Sequence, residues 1–97
     1  METLSFTYAA KQPLTERAHV GVVASGDLEV LIEPSSDPSS SQVQVRTSVD
    51  GYAQIWTAVL GRFFAHFDRA ASIEINDFGA TPGMVMLRLE QAAELVQ

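Results

Sequence analysis

Ser25 is the residue whose side chain could most readily take part in covalent chemistry, since it lies in a Ser25-Gly26-Asp27 sequence between two apolar runs. A serine that acts as a nucleophile needs a neighbouring base to accept its proton. His19 lies six residues earlier, roughly 20 Å away along an extended strand, and nothing in the sequence directs His66 toward Ser25. Asp27 is too weak a base at its ordinary pKa to do this unaided. The sequence therefore predicts no catalytic residue and no self-contained hydrolase or transferase.

Glu74, Asn76 and Asp77 form a second polar cluster, whose oxygen atoms could in principle hold a metal ion. Successive side chains of a strand point to opposite faces, so Glu74 and Asn76 would share one face while Asp77 would point to the other. No histidine is placed to complete a set of ligands. We therefore expect a solvated strand face and no metal site.

The composition disfavours several other classes of function. The 97 residues include no cysteine, which excludes a disulfide framework, a thiolate nucleophile and a cysteine-bound metal. Twelve acidic residues against six basic ones give a net charge of −6, which disfavours binding to nucleic acid or to an anionic membrane. The N-terminal residues do not resemble a signal peptide, and no apolar run is long enough to span a bilayer. We expect a cytoplasmic protein in which residues 1–97 form a single domain.

The residues around Ser25 predict a β-hairpin, because a Ser-Gly pair between β-branched runs is typical of a tight two-residue turn. Gly26 can adopt a positive φ at little steric cost. We expect Ser25 to be exposed at the tip of a rigid two-stranded support, although the same dipeptide can also be a turn and nothing more. The apolar residues of the two arms are Val20, Val22 and Val23 on the first and Leu28, Val30, Leu31 and Ile32 on the second.

Alternation of apolar and polar residues predicts three further strands, at residues 3–8, 42–47 and 72–78. Two segments between the predicted strands are expected to be loops. Residues 9–16 include a proline, and residues 34–41 consist of serine, proline and aspartate. We expect the second loop to lack regular structure and its five serines to be as exposed as Ser25.

Residues 51–67 are predicted to form the central helix, because their apolar residues make a broad stripe with the 3.6-residue period of a helix. Asp50 or Ser48 could cap its first turn. Such a stripe is typical of core packing rather than of a ligand pocket, and we expect its members to face inward. The stripe consists of Tyr52, Ile55, Trp56, Val59, Leu60, Phe63, Phe64 and Phe67.

Residues 84–96 are predicted to form the second helix, with Thr81 as the N-cap and Pro82 at the first helical position. A short strand at residues 84–89 is the alternative. The whole pattern favours an α+β fold, in which two helices pack on one face of a mainly antiparallel sheet of about five strands. The residues of the second helix expected to face inward are Val85, Leu89, Ala92, Ala93 and Val96.

Four stretches of the chain carry a resemblance to a known family: VVASGDLEV at residues 22–30, GYAQIW at 51–56, IEINDFGATPG at 73–83 and LRLEQ at 87–91. In this order and at these distances they resemble the acyl-carrier (delta) subunit of malonate decarboxylase. The acyl-carrier (gamma) chain of citrate lyase is similar more distantly, since it shares the Ser-Gly-Asp tip, an acidic pair before Gly-Ala and a closing Leu-Arg helix. The NDFGATPG run favours the malonate decarboxylase branch.

The resemblance implies that Ser25, flanked by Gly26 and Asp27, carries triphosphoribosyl-dephospho-coenzyme A through a phosphodiester. It implies that the thiol of this group holds acetyl, that a malonyl transferase exchanges acetyl for malonyl, and that other subunits decarboxylate the malonyl thioester. The chain would be a non-catalytic carrier whose partners are the transferase and decarboxylase subunits of the complex and the prosthetic-group transferase. Carriers that are helical bundles attach phosphopantetheine at an Asp-Ser-Leu sequence, which this chain lacks.

The flanks of Ser25 suit such a modification, because Ala24 and Gly26 are small and leave room for a bulky group. Two other functions stay open at this point. The chain could be the acyl carrier of citrate or citramalate lyase, or it could be an interaction module without a cofactor.

Overall fold

A computed structural model describes residues 1–96 of the chain, and these residues form six strands and two helices. The helices are α1 (Ala53–Phe64) and α2 (Pro82–Val96). The strands are β1 (Glu2–Ala9), β2 (Gln12–Pro13), β3 (Ala18–Gly21), β4 (Leu28–Pro34), β5 (Ser40–Thr47) and β6 (Arg69–Asp77).

The strands form a mixed sheet in the order β1-β5-β6-β4-β3, with β2 paired to β6 outside this path. The pairs β1–β5, β3–β4 and β4–β6 are antiparallel, which confirms the predicted α+β fold with a mainly antiparallel sheet. β5 and β6 are parallel, and α1 is the crossover that parallel neighbours require. β2 was not predicted, since it lies in the segment at residues 9–16 that was expected to be a loop.

The core lies between one face of the sheet and both helices. Alternate residues of β4, including Leu28 and Val30, are fully buried there, because successive side chains of a strand point to opposite faces. Trp56, Leu60 and Phe63 of α1 pack into the same core, as predicted. The opposite face of the sheet is mostly polar, with side chains that include Gln42, Gln44, Arg46, Ser72, Glu74 and Asn76.

The first helix is shorter than predicted, since it ends at Phe64. Tyr52 and Ile55, at the start of the apolar stripe, are 46% and 40% exposed, so the expectation that they face inward is wrong. No side chain among the described residues 1–96 caps the helix, and the carboxylate of Asp50 lies 3.1 Å from the amino group of Met1 instead. The predicted capping by Asp50 or Ser48 is therefore wrong.

The second helix begins at Pro82, and its start confirms the predicted cap. The hydroxyl of Thr81 accepts a hydrogen bond from the backbone N–H of Met84 at 3.2 Å. The five residues expected to face inward are buried, and the alternative of a short strand at residues 84–89 is wrong. Neither helix within residues 1–96 combines the length and the hydropathy needed to cross a membrane.

The segment at residues 34–41 is more ordered than predicted. Ser41 belongs to β5 and is fully buried. Its burial is tolerated because its hydroxyl donates to the carbonyl of Arg69 at 2.8 Å and accepts from the N–H of Ala71 at 2.9 Å. Ser36 and Ser39 are exposed, whereas Ser35 and Ser40 are half-buried. The prediction that all five serines are as exposed as Ser25 is therefore wrong.

Candidate covalent attachment site

Ser25 lies at the corner of a tight β-turn formed by residues 24–27. The N–H of Asp27 donates to the carbonyl of Ala24 at 3.0 Å, and Gly26, the third residue of the turn, has a φ of 79°. A type II turn requires a positive φ at this position, which glycine adopts without a steric penalty. The Ser25 side chain is exposed at the second position of the turn.

The turn is tied to the central strand β6 through the backbone of Phe78. The N–H of Gly26 donates to the carbonyl of Phe78 at 2.7 Å, and the N–H of Phe78 donates to the carbonyl of Asp27 at 2.9 Å. These bonds continue the antiparallel β4–β6 ladder, in which Leu28 pairs with Asp77. Ser25 is therefore held by a strand in the middle of the sheet.

The predicted hairpin is only partly correct, since β3 ends at Gly21, which pairs with Glu29. Gly21 has a φ of 85°, which turns the chain away from the ladder, and residues 22–27 form a loop. Val22 and Val23, which were assigned to the first arm of the predicted hairpin, lie in this loop and are 55% and 60% exposed, so that assignment is wrong. The rigid support of Ser25 comes from β6 rather than from the first arm of a two-residue hairpin.

Asp27 connects the turn to α2 through Arg88. The guanidinium of Arg88 donates from Nε to Oδ1 of Asp27 at 3.2 Å and from Nη2 to Oδ2 at 2.8 Å. Oδ1 also accepts the N–H of Leu28 at 2.7 Å. The hydrogen bonds from Arg88 and Leu28 lower the pKa of Asp27, and the hydrogen bond to Asp27 in turn raises the pKa of Arg88. Arg88 was not predicted to belong to the site, because it lies in a helix 61 residues further along the chain.

We expect acid to loosen the Ser25 turn through Asp27. Because the pKa of this carboxyl is lower in the folded protein than its ordinary value of 3.8, its contribution to stability is complete above pH 3.8 and is lost as the pH falls through the lowered value. Hydrogen exchange of the Gly26 and Leu28 amides measures this locally. Protection, corrected for intrinsic exchange rates, should fall on acidification in the wild type.

The Asp27→Asn variant removes the titrating group. Its Gly26 and Leu28 amides should exchange faster than those of the wild type at pH 7 and should show little further change on acidification. Asp37→Asn is the matched control, because hydrogen bonds from Ser39 and Ser40 lower the pKa of Asp37 in the loop before β5. Equal pH profiles for the wild type and Asp27→Asn would contradict the expectation.

The two histidines lie away from the turn. Nε2 of His19 lies 2.9 Å from a carboxylate oxygen of Glu29 on the open face of the sheet. His66 is exposed and precedes the start of β6, whereas the Ser25 turn bonds to Phe78 just after the end of that strand. The structure thus brings neither histidine into a hydrogen bond with the turn.

The second polar cluster divides between the two faces of β6, as predicted. Glu74 is exposed on the open face with Asn76, whereas Asp77 is buried on the other face. Asp77 accepts hydrogen bonds from the Thr47 hydroxyl at 2.8 Å and from the Ala80 N–H at 3.0 Å, which fixes the chain beyond β6. Within residues 1–96, no group of three histidine, cysteine or acidic side chains is arranged to hold a metal ion.

Comparisons with known proteins agree over nearly the whole chain. The acyl carrier protein of Azotobacter vinelandii malonate decarboxylase is 54% identical over 97 residues, which cover 99% of this chain and 97% of that protein. The corresponding protein of Pseudomonas savastanoi pv. phaseolicola is 56% identical over 95 residues, which cover 97% and 95%.

Structural comparison gives the same result. A chain in the crystal structure of a Pseudomonas malonate decarboxylase hetero-tetramer in complex with malonate superposes with a TM-score of 0.95, at 52% identity and with 100% of both chains covered. The family model for the malonate decarboxylase delta subunit, an acyl carrier protein, matches residues 15–96. These findings confirm the resemblance, and the chain belongs to the malonate decarboxylase delta-subunit family.

Proposed function

We propose that this chain is the acyl carrier subunit of malonate decarboxylase and that Ser25 is the residue to which its prosthetic group is attached. The supporting observation is the placement of Ser25 at the exposed corner of a turn that is braced by β6 and by Arg88 of α2. The relatives named as malonate decarboxylase acyl carrier proteins, at 54% and 56% identity, supply the reaction in which such a serine would serve.

The surroundings of Ser25 fit a bulky phosphodiester substituent. Ala24 and Gly26 are exposed, and apart from the chain neighbours of Gly26 no heavy atom of residues 1–96 lies within 4 Å of the point where its Cβ would stand. An enzyme that must place one hydroxyl for phosphodiester formation gains from a nucleophile that is already held in position. The two backbone bonds to Phe78 and the ion pair between Asp27 and Arg88 hold it.

The group that we propose for Ser25 is triphosphoribosyl-dephospho-coenzyme A. When bound, it supplies a thiol that carries the acyl group as a thioester, so the reactive chemistry belongs to the cofactor. The residues of this chain present the Ser25 hydroxyl, keep it exposed and hold the turn rigid. We propose no catalytic role for any of them.

The remaining steps are assigned to partners. We propose that residues 1–97 work as one carrier domain in the cytoplasm, with the transferase and decarboxylase subunits of the complex, a malonyl transferase and the prosthetic-group transferase. The crystal structure of the Pseudomonas relative is that of a hetero-tetramer, which supports a carrier that works with other subunits.

Reconstitution tests this proposal. The chain is produced with the enzymes that make and transfer the prosthetic group, its intact mass is measured, and it is then mixed with the other malonate decarboxylase subunits. We expect a mass increase equal to one prosthetic group and release of carbon dioxide from malonate that requires the loaded chain.

The controls separate the alternatives. The chain alone should release no carbon dioxide, and turnover by the isolated chain would contradict the carrier role. Reconstitution of citrate cleavage in place of malonate decarboxylation would assign the chain to a lyase. The absence of any added mass after exposure to active loading enzymes would favour a cofactor-free interaction module.

A further inference from the structure

An apolar groove of about 260 Å³ lies between the starts of α1 and α2. Tyr52 and Ile55 stand in its wall, which explains why these two members of the apolar stripe are exposed. Trp56 and Val85 contribute the more deeply buried part of the wall. A groove with such a lining favours an apolar ligand, because each apolar group that enters it leaves water.

The groove adjoins the Ser25 turn. Its lining includes Asp77 and Gly79, the two neighbours of Phe78, and both backbone groups of Phe78 bond to the turn. Within residues 1–96, and apart from each glycine's own chain neighbours, no heavy atom lies within 4 Å of the position that a Cβ of Gly26 or of Gly79 would occupy. Gly26 and Gly79 are both exposed and present only backbone atoms on this part of the surface.

We propose that this groove receives the pantetheine portion of the prosthetic group on Ser25 while the carrier is not engaged with a partner. The inference rests on the proposed function, because it requires Ser25 to be loaded. A tethered group reaches an adjacent site at a high effective concentration, so modest apolar contacts are enough to hold it. The volume of about 260 Å³ is below the range typical of sites for whole drug-sized ligands, which suits a slender segment rather than the bulky nucleotide portion.

The wall of the groove would thereby shield the thiol end from water. Trp56 and Val85 are almost fully buried members of the lining, and Thr47 and Asp77, which also line the groove, hydrogen-bond to each other. Tyr52 and Ile55, half open to solvent at the rim, would lose most of their exposure when the segment enters.

Trp56 provides the readout, because it is the only tryptophan of the chain. The protein is loaded with the prosthetic-group transferase, complete loading is verified by intact mass, and the ¹H–¹⁵N spectra of the apo and loaded forms are compared. We expect the Trp56 indole signal and the amide signals of Ile55 and Val85 to shift on loading, together with those of the turn. A loaded protein whose shifts are confined to residues 22–27 would overturn the inference.

Two variants separate entry into the groove from a general effect of loading. Ile55→Ser removes an apolar side chain from the rim and should abolish most of the Trp56 shift. Leu87→Ser is the matched control, because Leu87 is 47% exposed on α2 but lies outside the lining of the groove, so it should leave the shift unchanged. The apo spectrum of each variant verifies its fold, and Tyr52→Ser replaces Ile55→Ser if the latter does not fold.

The outcomes distinguish this inference from the proposed function. Failure to load Ser25 would overturn both. A fully loaded carrier with an unchanged Trp56 signal, in which that signal shifts only when the other decarboxylase subunits are added, would assign the groove to a partner. That result would overturn the inference and leave the carrier function standing.

Discussion

Replacing Ser25 with alanine should abolish both the attachment of the prosthetic group and the malonate decarboxylation of the reconstituted complex. The Ser25→Ala variant keeps the fold, because the hydroxyl is exposed at a turn and the hydrogen bonds that brace the turn come from other groups. Surface substitutions of this kind usually change the free energy of unfolding by less than about 0.5 kcal/mol. The loss of activity would thus reflect the missing attachment point rather than unfolding.

Ser36→Ala is the matched control, since Ser36 is also exposed but lies between β4 and β5, away from the turn. Intact mass measures loading of both variants, and tandem mass spectrometry of the loaded wild type locates the modified residue. The Ser36→Ala protein should be loaded and active. Modification of a serine at residues 35–41, or an added group that persists in Ser25→Ala, would contradict the assignment.

Exposure alone does not select Ser25 among the serines, because Ser36 and Ser39 are also exposed. Ser25 differs from these serines in the hydrogen bonds that hold its segment of the backbone. Ser25 lies in a turn that bonds to the central strand and to a helix, whereas the segment of Ser39 is held locally by Asp37, which accepts bonds from the Ser39 N–H and hydroxyl. A transferase that recognises a folded surface therefore finds a more firmly positioned hydroxyl at Ser25.

Local patterns predicted the elements well, because each pattern depends on neighbours in the chain. The glycine in the Ser-Gly pair predicted a turn with a positive φ at Gly26, and the structure confirms both. Thr81 followed by Pro82 predicted the start of α2, which the hydrogen bond to Met84 confirms. The apolar period predicted that Trp56 is buried, and it is.

Contacts between residues that are far apart in the sequence could not be predicted from these local patterns. The bond between Asp27 and Arg88 joins residues 61 positions apart, and no local signal tells which helix faces the turn. Ser41 resembles its neighbours in sequence, but it is buried because β6 supplies partners for its hydroxyl. Val22 and Val23 were predicted to continue the strand because their side chains are β-branched, but the strand ends at Gly21, whose φ is positive.

Gly21→Ala should destabilise the protein by about 2–5 kcal/mol, which is the largest effect on stability that we expect from adding one methyl group. Gly21 has a φ of 85°, a conformation that alanine adopts only at a cost, and a Cβ there would overlap the carbonyl oxygen of Leu28. That oxygen belongs to the backbone, so relief requires β4 and the end of β3 to move apart. Since Leu28 directly follows the Ser25 turn, the variant should also be loaded more slowly.

Substitutions at two other glycines separate the strain of the positive φ from the overlap with the Leu28 carbonyl oxygen. Gly26→Ala has the same kind of strain, with a φ of 79°, but its Cβ would meet open space, so we expect a loss of only about 1–2 kcal/mol. Gly61→Ala lies within α1, where no heavy atom is close to the added methyl, and should stabilise the protein by about 0.5–1 kcal/mol. Urea unfolding of the three variants measures the order. A free energy of unfolding for Gly21→Ala equal to that of Gly26→Ala would show that the contact with the Leu28 carbonyl relaxes freely and would contradict this prediction.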